Sequence, residues 1–463
     1  MQSIFLHETG GRPSPLPKAA AGTTQKQSFF DNSEAFFKAL DILKKAGGGT
    51  LKVASGVWHT GPIELFSNIT LHLEEGAVIS FIPEPERYKP VYTRWEGADC
   101  FAMHPCVYVN AQKDVKITGN GTIDGQGLLW WRSREAKKKQ TSPETPIELE
   151  FAKLNPDYKK QPGGGGGRNI QFLRPPLIQF YKCKNCSIED ITACNSPFWT
   201  IHPVYSDSIN ISNVTVQNPA ERAPNTDGID IDSCTNVTII DCSINVGDDA
   251  IALKSGADED GIKAAKQCRN IRISNCTVFS GHGGIVIGSE TAAGIEDVVA
   301  ENCVFKNTDR GIRIKTRRGR GGAIKNLQFS NLTIKDCLCP FSINMYYVCG
   351  ADPKDPFLFS TEKQKIENST PSVKDISVNG IKAAGCRSSA GFIAGLPESP
   401  VCDVVFNNCV FETDEKSSEL PEKSDMTAGL PCVTEKSFRI VNAKNVSFKD
   451  TQIIGPQTPF LYS

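Results

Sequence analysis

Short strands with apolar residues at every second position recur along most of this chain. Asn68-Ile-Thr-Leu71, Asn236-Val-Thr-Ile239, Asn270-Ile-Arg-Ile273, Asp375-Ile-Ser-Val378 and Asn445-Val-Ser-Phe448 share one form, a small polar residue followed by alternating apolar ones. Five residues after the first apolar residue stands another buried-type side chain. It is Cys242 after Val237, Cys276 after Ile271, Cys303 after Val298, Leu332 after Leu327, Ile381 after Ile376 and Cys409 after Val404. The unit returns after 34 residues from Val237 to Ile271 and after 27 from there to Val298. Such a period marks a solenoid, whose turns bury their apolar faces only by stacking. With strands and no helical periodicity, the pattern predicts an all-β chain wound as a right-handed, single-stranded parallel β-helix. Its turns would lie ~4.8 Å apart, with the cysteines in one interior ladder. A β-propeller would need hairpins that the sequence scarcely signals.

A few stretches break the rhythm. Residues 32–46 predict a helix capped by Asn32 or Ser33, with Phe36, Phe37, Leu40 and Leu43 as its apolar stripe and Gly47-Gly48-Gly49 as its stop. It would cover the open end of the rod. Residues 1–31 read as a loosely structured lead-in, and 32–463 as one β-helix catalytic domain. Residues 126–168, with Trp130, Trp131 and a glycine run, read as an excursion rimming a cleft. Residues 350–372 and 412–436 are polar insertions.

Composition removes several function classes. Lys plus Arg number 51 against 52 Asp plus Glu, so bulk charge draws the chain to neither nucleic acid nor membrane. No apolar run is long enough to span a bilayer. Met1 to Gly22 lacks the apolar core of a secretory leader. The 17 cysteines form no compact framework and read as buried thiols in a reducing compartment. That places the protein in the cytoplasm, with a secreted or periplasmic protein that has lost its leader as the alternative. Cys183 and Cys186 have zinc-ligand spacing, but no second pair follows, and core cysteines are the better reading. Oligomeric state is not legible.

The chemistry lies in four blocks: Asn225-Thr-Asp227, Gly247-Asp-Asp249, Gly281-His-Gly283 and Arg313-Ile-Lys315. Asp227 precedes Asp249 by 22 residues, about one turn of the rod. Asp248 and Asp249 would point oppositely on a regular strand, so serving one site requires a bend at Gly247. Three carboxylates together repel, and at least one should keep its proton. A proton-holding acid beside an ionised base suits hydrolysis of a glycosidic bond. A calcium site and solvated turn acids are the competing readings. Arg313 and Lys315 face the same way and would hold an anion such as a sugar carboxylate. Arg317, Arg318 and Arg320 either add to that field or form a solvated basic loop. His282, between glycines that leave room for a ligand, reads as a hydrogen-bond partner of an acid or of the sugar.

In this order the four blocks resemble the signature blocks of glycoside hydrolase family 28, the polygalacturonases. Gly61-Pro-Ile-Glu-Leu65 and Ser67 to Gly76 extend the likeness toward the start. The resemblance implies a right-handed parallel β-helix that cleaves α-1,4-galacturonosyl bonds with inversion and uses no metal and no cofactor. By it, Asp248 is the general acid, Asp227 and Asp249 activate the water, and His282 supports the acid. Arg313 and Lys315 hold the substrate carboxylate beside the scissile bond, and Asn225 and Tyr347 contact substrate. The partner is an acidic polysaccharide or oligogalacturonide. The block from Gly247 to Gly256 and the 126–168 insertion resemble bacterial exo-acting members, with Trp130 and Trp131 as the wall that exo action requires. The opening strand of the family is not recognisable in residues 10–31. A rhamnogalacturonan or xylogalacturonan hydrolase, a calcium-dependent pectate lyase and a non-catalytic glycan-binding rod stay open as alternatives.

Overall fold

The computed structural model describes residues 2–14, 29–161, 165–221 and 223–462. Among these, three long parallel sheets carry 13, 12 and 12 strands, each strand pairing with its counterpart one turn away. The chain is a right-handed parallel β-helix. Its register is like on like: Val237 pairs with Ile271, Ile271 with Val298, Val298 with Leu327, Leu327 with Ile376 and Ile376 with Val404. These side chains point inward into one apolar cluster running the length of the rod. Cys242, Cys276, Cys303 and Cys409 stand in it as expected, and all 17 cysteines are free thiols.

The recurring polar residue has a backbone cause. Asn236, Asn270, Asp297, Asn326 and Asp375 all take φ between 54° and 57°. Asn and Asp tolerate this left-handed conformation best among residues with a side chain. Stacked at one height, they also bond along the rod: Asn270 Nδ2 donates to Asn236 Oδ1 at 2.5 Å and Asn326 Nδ2 to Asp297 Oδ1 at 2.6 Å.

Three expectations change. Gln2–Phe5 is a strand paired in parallel with Gly49–Val53, so the first rung of the rod precedes the helix. A loose lead-in therefore fails for residues 2–14, while residues 15–28 lie outside the described ones. The helix is Ser33–Lys45, and Phe37 is 70 % exposed, with Ala35 and Ala39 completing the buried face of Phe36, Leu40 and Leu43. Asn32 is the N-cap residue, but Asp31 supplies the acceptor for the Ser33 N–H at 2.9 Å. Asn32 instead ties neighbouring backbone, accepting from Arg12 N–H at 2.7 Å.

The third concerns the excursion. It folds into helices Leu128–Ala136 and Pro146–Leu154. Trp130 and Trp131 are buried beneath it: Trp131 Nε1 donates to the Ser196 carbonyl at 2.9 Å, and Trp130 packs edge-on against Tyr88. They anchor the excursion and do not face the cleft. An antiparallel hairpin, Pro90–Trp95 with Ala98–Met103, leans over the third sheet beside it. Arg94 fixes the hairpin, fully buried and bonded to Asp99 and Asp232 at 2.9 Å each. Among the described residues no helix is long and apolar enough to cross a membrane.

Candidate active site

The third sheet stacks Ile229–Asp232, Asp249–Lys254, Gly283–Gly288, Arg310–Lys315 and Cys339–Asn344 as successive rungs. Ile251, Ile285, Ile312 and Phe341 align inward, so the residues between them align outward. One outward column reads Asp230, Ala252, Val286, Arg313, Ser342. Gly228 N–H donates to the Asp249 carbonyl at 2.9 Å, which sets Asp227 and Asp249 on neighbouring rungs.

Asp248 lies one residue before its strand. The bend that brings it beside Asp249 is closed by the Asp249 N–H, which donates to Asp248 Oδ1 at 3.0 Å. Gly247 is required there by space: a Cβ would meet the Ala220 and Ala223 carbonyl oxygens at 2.8 and 3.0 Å. Carboxylate oxygens of Asp227, Asp248 and Asp249 then lie within 4.8 Å of one another. His282 Nδ1 is 3.0 Å from Asp248 Oδ1. Arg313 donates to Asp249 Oδ1 at 3.1 Å and Lys315 to Asp249 Oδ2 at 2.5 Å. Both cations sit about 5 Å from the Tyr347 ring, at 5.3 and 5.2 Å.

This geometry separates the three acids. Burial alone would raise Asp249, but Lys315 and Arg313 overcome it and hold its carboxylate far below the usual range. Asp248 is likewise pushed up by burial and drawn net below by the hydrogen bond and charge of His282. Asp227 is raised well above the ordinary range, by burial first and then by Asp230 and Asp248. Of the three, Asp227 is the one pushed toward keeping a proton, one carboxylate away from Asp248.

All eight residues singled out in the sequence border one cavity of about 310 Å³: Asn225, Asp227, Asp248, Asp249, His282, Arg313, Lys315 and Tyr347. Apart from Arg320 and the glycine run, its remaining lining had not been singled out. Lys254, buried, lies 3.1 Å from Glu290, 3.6 Å from Asp230 and 3.8 Å from Asp227. Its ammonium stands 4.4 Å from the Trp199 ring centre. Lys254 was within reach of the sequence, since it closes the same block as Asp248 and Asp249. Glu96, from the hairpin, and Lys423 and Met426, from the 412–436 insertion, also line the cavity and carry no local signal.

The basic run after Lys315 is not a solvated loop. Arg317, Arg318 and Arg320 are all buried. Arg318 forms a two-pronged pair with Glu398 at 2.6 and 2.9 Å, whereas Arg320 bonds Asp258 at 3.1 Å and reaches the cavity. Among the described residues the only cluster of three or more metal-type ligands is Asp227, Asp248 and Asp249. Both Asp249 oxygens already face cations, so a calcium ion there would have to displace Arg313 and Lys315. The Cys183 and Cys186 sulfurs are buried and bond to backbone carbonyls, as core thiols do.

A rod face carrying three close aspartates, a histidine and two cations suits the cleavage of a carbohydrate. The chain belongs to glycosyl hydrolases family 28, whose sequence profile matches residues 165–420. A probable polygalacturonase of Vitis vinifera is 33 % identical over 401 residues, covering 84 % of this chain and 73 % of that protein. An exo-poly-alpha-D-galacturonosidase of Dickeya chrysanthemi is 28 % identical over 419 residues, covering 82 % and 68 %. The crystal structure of a hyperthermoactive exopolygalacturonase from Thermotoga maritima superposes with a TM-score of 0.78 at 30 % identity, covering 99 % of this chain and 93 % of that one.

Proposed function

We propose that the protein is an exo-acting hydrolase of galacturonan, releasing galacturonate units from the non-reducing end of pectin-derived oligomers. Family membership and the exo-acting relatives support the substrate class and the reaction. The observation that carries the exo reading is the size and lining of the cavity. At about 310 Å³ it sits at the bottom of the ~300–1,000 Å³ range of small-molecule pockets, and Glu96 of the hairpin and Gly165 of the glycine loop line it together with Asn225.

The roles follow from the geometry and the family likeness together. Asp248, 21 % exposed at the cleft, takes the proton of neighbouring Asp227 and passes it to the oxygen of the leaving sugar, with His282 orienting it. Asp227 and Asp249, side by side on adjacent rungs, share the attacking water and take its proton. Two carboxylates that share one water explain why the acids stand within 4.8 Å, closer than the ~6.5–9.5 Å of inverting pairs that face each other across a sugar. Arg313 and Lys315 neutralise the uronate carboxylate of the sugar beside the scissile bond. His282, Arg313 and Lys315 all lie on rungs after Asp249, so the leaving part of the chain runs that way. The attacked sugar lies over Asp227, toward the earlier rungs, where Glu96 and Gly165 line the cavity.

That part of the lining is held by several contacts. Gly166 N–H donates to Glu96 at 2.7 Å, and a Cβ on Gly165 would lie 3.3 Å from Asn225 Nδ2, so the glycine loop rests on the wall. Behind it Trp95 stacks on Phe198 at 4.6 Å and Phe198 on Trp199 at 5.3 Å. Arg174 clamps the Pro197 and Pro224 carbonyls at 3.0 Å and Asn225 Oδ1 at 2.8 Å. The free thiols fit a reducing compartment, where such an enzyme would trim imported oligomers.

Hexagalacturonate labelled at its reducing end tests the reading. Products shortened stepwise, with label retained and no ultraviolet absorbance gained, are expected. A random ladder of labelled fragments would refute exo action, and an absorbing unsaturated product would refute hydrolysis.

A further inference from the structure

Resting on the hydrolase reading, we infer that Lys254 is a positioning residue: its ammonium is the counter-charge that Asp227 needs once its proton has gone to Asp248. The proton path requires such a group. Asp248 takes a proton from Asp227 and gives it to the leaving oxygen as the C1–O bond breaks. Asp227, now a carboxylate, takes a proton from the water whose oxygen bonds to C1. Each turnover therefore passes through an ionised Asp227 and ends with Asp227 protonated again.

That carboxylate would otherwise stand among like charges. Asp227 is buried, and Asp230, Asp248 and Asp249 are the acids that act on it. Arg313 and Lys315 bond to Asp249 instead. Lys254, 3.8 Å away, is the cation that faces Asp227.

Its place follows from the strand. Lys254 ends Asp249–Lys254 and pairs with Asp232 one rung back, while the small Ala252 pairs with Asp230. The long side chain reaches back to that rung, 3.6 Å from Asp230 and 3.8 Å from Asp227. Neither distance is a hydrogen bond, so Lys254 acts on both acids through charge. Two contacts fix the ammonium: it donates to Glu290 at 3.1 Å, and the Trp199 ring centre lies 4.4 Å away. Burial would raise Glu290, but Lys254, Arg320 and Lys315 hold it down at about 2, so it stays a carboxylate. His202 packs edge-on against Trp199 at 4.7 Å, and burial holds it below its ordinary range, neutral at neutral pH. A purely structural lysine would need only Glu290 and Asp230, and the pH profile separates the two roles.

The test is kcat/KM on trigalacturonate against pH, for wild type, Lys254→Met, Lys254→Arg and Glu290→Gln. In Lys254→Met the acidic limb should move up by about 1 pH unit or more, since a carboxylate that loses a cation within ~4–6 Å holds its proton harder. The maximum should fall roughly tenfold, the rate equivalent of one such unit. Lys254→Arg keeps the charge and should return the limb to its wild-type place. Glu290→Gln removes the acid that competes for the ammonium, and its limb should move down. A lower rate in Lys254→Met with the limb unmoved would make Lys254 structural and overturn the inference. If that variant does not fold, an unmoved or raised limb in Glu290→Gln overturns it. No reducing ends released from trigalacturonate by wild type would overturn the hydrolase reading with it.

Discussion

At the residue scale, chemically identical aspartates are made different by what each touches. Asp249 faces two cations, Asp248 a histidine, and Asp227 mostly other acids. Asp248→Asn should lower kcat by ~10²–10⁴, the usual worth of a general acid, with trigalacturonate affinity by calorimetry nearly unchanged. Loss of binding in parallel with rate would assign Asp248 to substrate holding instead. His282 is raised above the ordinary histidine range chiefly by its bond to Asp248, and in turn draws Asp248 down, where Asp249 and Lys315 also act on it. Without that partner Asp248 keeps its proton to higher pH. In His282→Ala the basic limb of the kcat/KM profile should move upward, even as the maximum falls. A limb that stays put or moves down would separate the two groups.

Asp230 is a different kind of residue. It is fully buried, neither oxygen has a hydrogen-bond partner, and Lys254 stands 3.6 Å away. Burial raises it well above its unfolded value of about 3.9, so ionising it opposes folding, and its contribution to stability is lost as pH rises from about 4. Asp230→Asn removes that slope. Its melting temperature relative to wild type should climb between pH 4 and pH 8, and parallel curves would contradict the assignment. The three clustered acids were legible because they lie in short blocks on consecutive turns. Asp230 was not, because an outward residue two places along a strand looks like any polar surface position until its neighbours cover it.

At the element scale, the Asn and Asp positions stood out in the sequence as strand leaders. Their cause, a left-handed residue in every turn of the first sheet, needed coordinates. Asn236, at φ 57°, also donates to Asp207 at 2.6 Å and accepts from Asn270. Asn236→Ala should cost ~1–2 kcal/mol, and Asn236→Gly less despite the same lost bonds, because glycine pays nothing for that conformation. Equal costs by chemical denaturation would place the whole effect in the hydrogen bonds. The helix was legible from its apolar spacing, but Phe37 fell on the wrong face. A four-residue stripe leaves the helix rotation open by one position, and Ala35 and Ala39 settle it by packing. Trp130 and Trp131 misled for a related reason. Large aromatics in an insertion read equally as a cleft wall or as an anchor, and here they hold the insertion down.

At the scale of the whole molecule, stacking does the work that long-range contacts do elsewhere. Each rung copies the register of the last, so residues separated by a full turn in sequence stand side by side on the rod. That is why the eight candidate residues converge on one cavity although they span Asn225 to Tyr347. Glu96 of the hairpin and Gly165 of the glycine loop line the same cavity through contacts that no period relates to the rungs; the sequence placed the glycine run at a cleft rim but carried no sign of Glu96. The central claim is that a water held between Asp227 and Asp249 attacks a sugar whose leaving oxygen is protonated by Asp248. Proton NMR of the anomeric hydrogen during the first turnovers of trigalacturonate tests it most directly. The β-anomer of the released sugar should appear first and mutarotate to the equilibrium mixture. The α-anomer appearing first would mean that one of the aspartates had bonded to the sugar, and that the water does not attack as described.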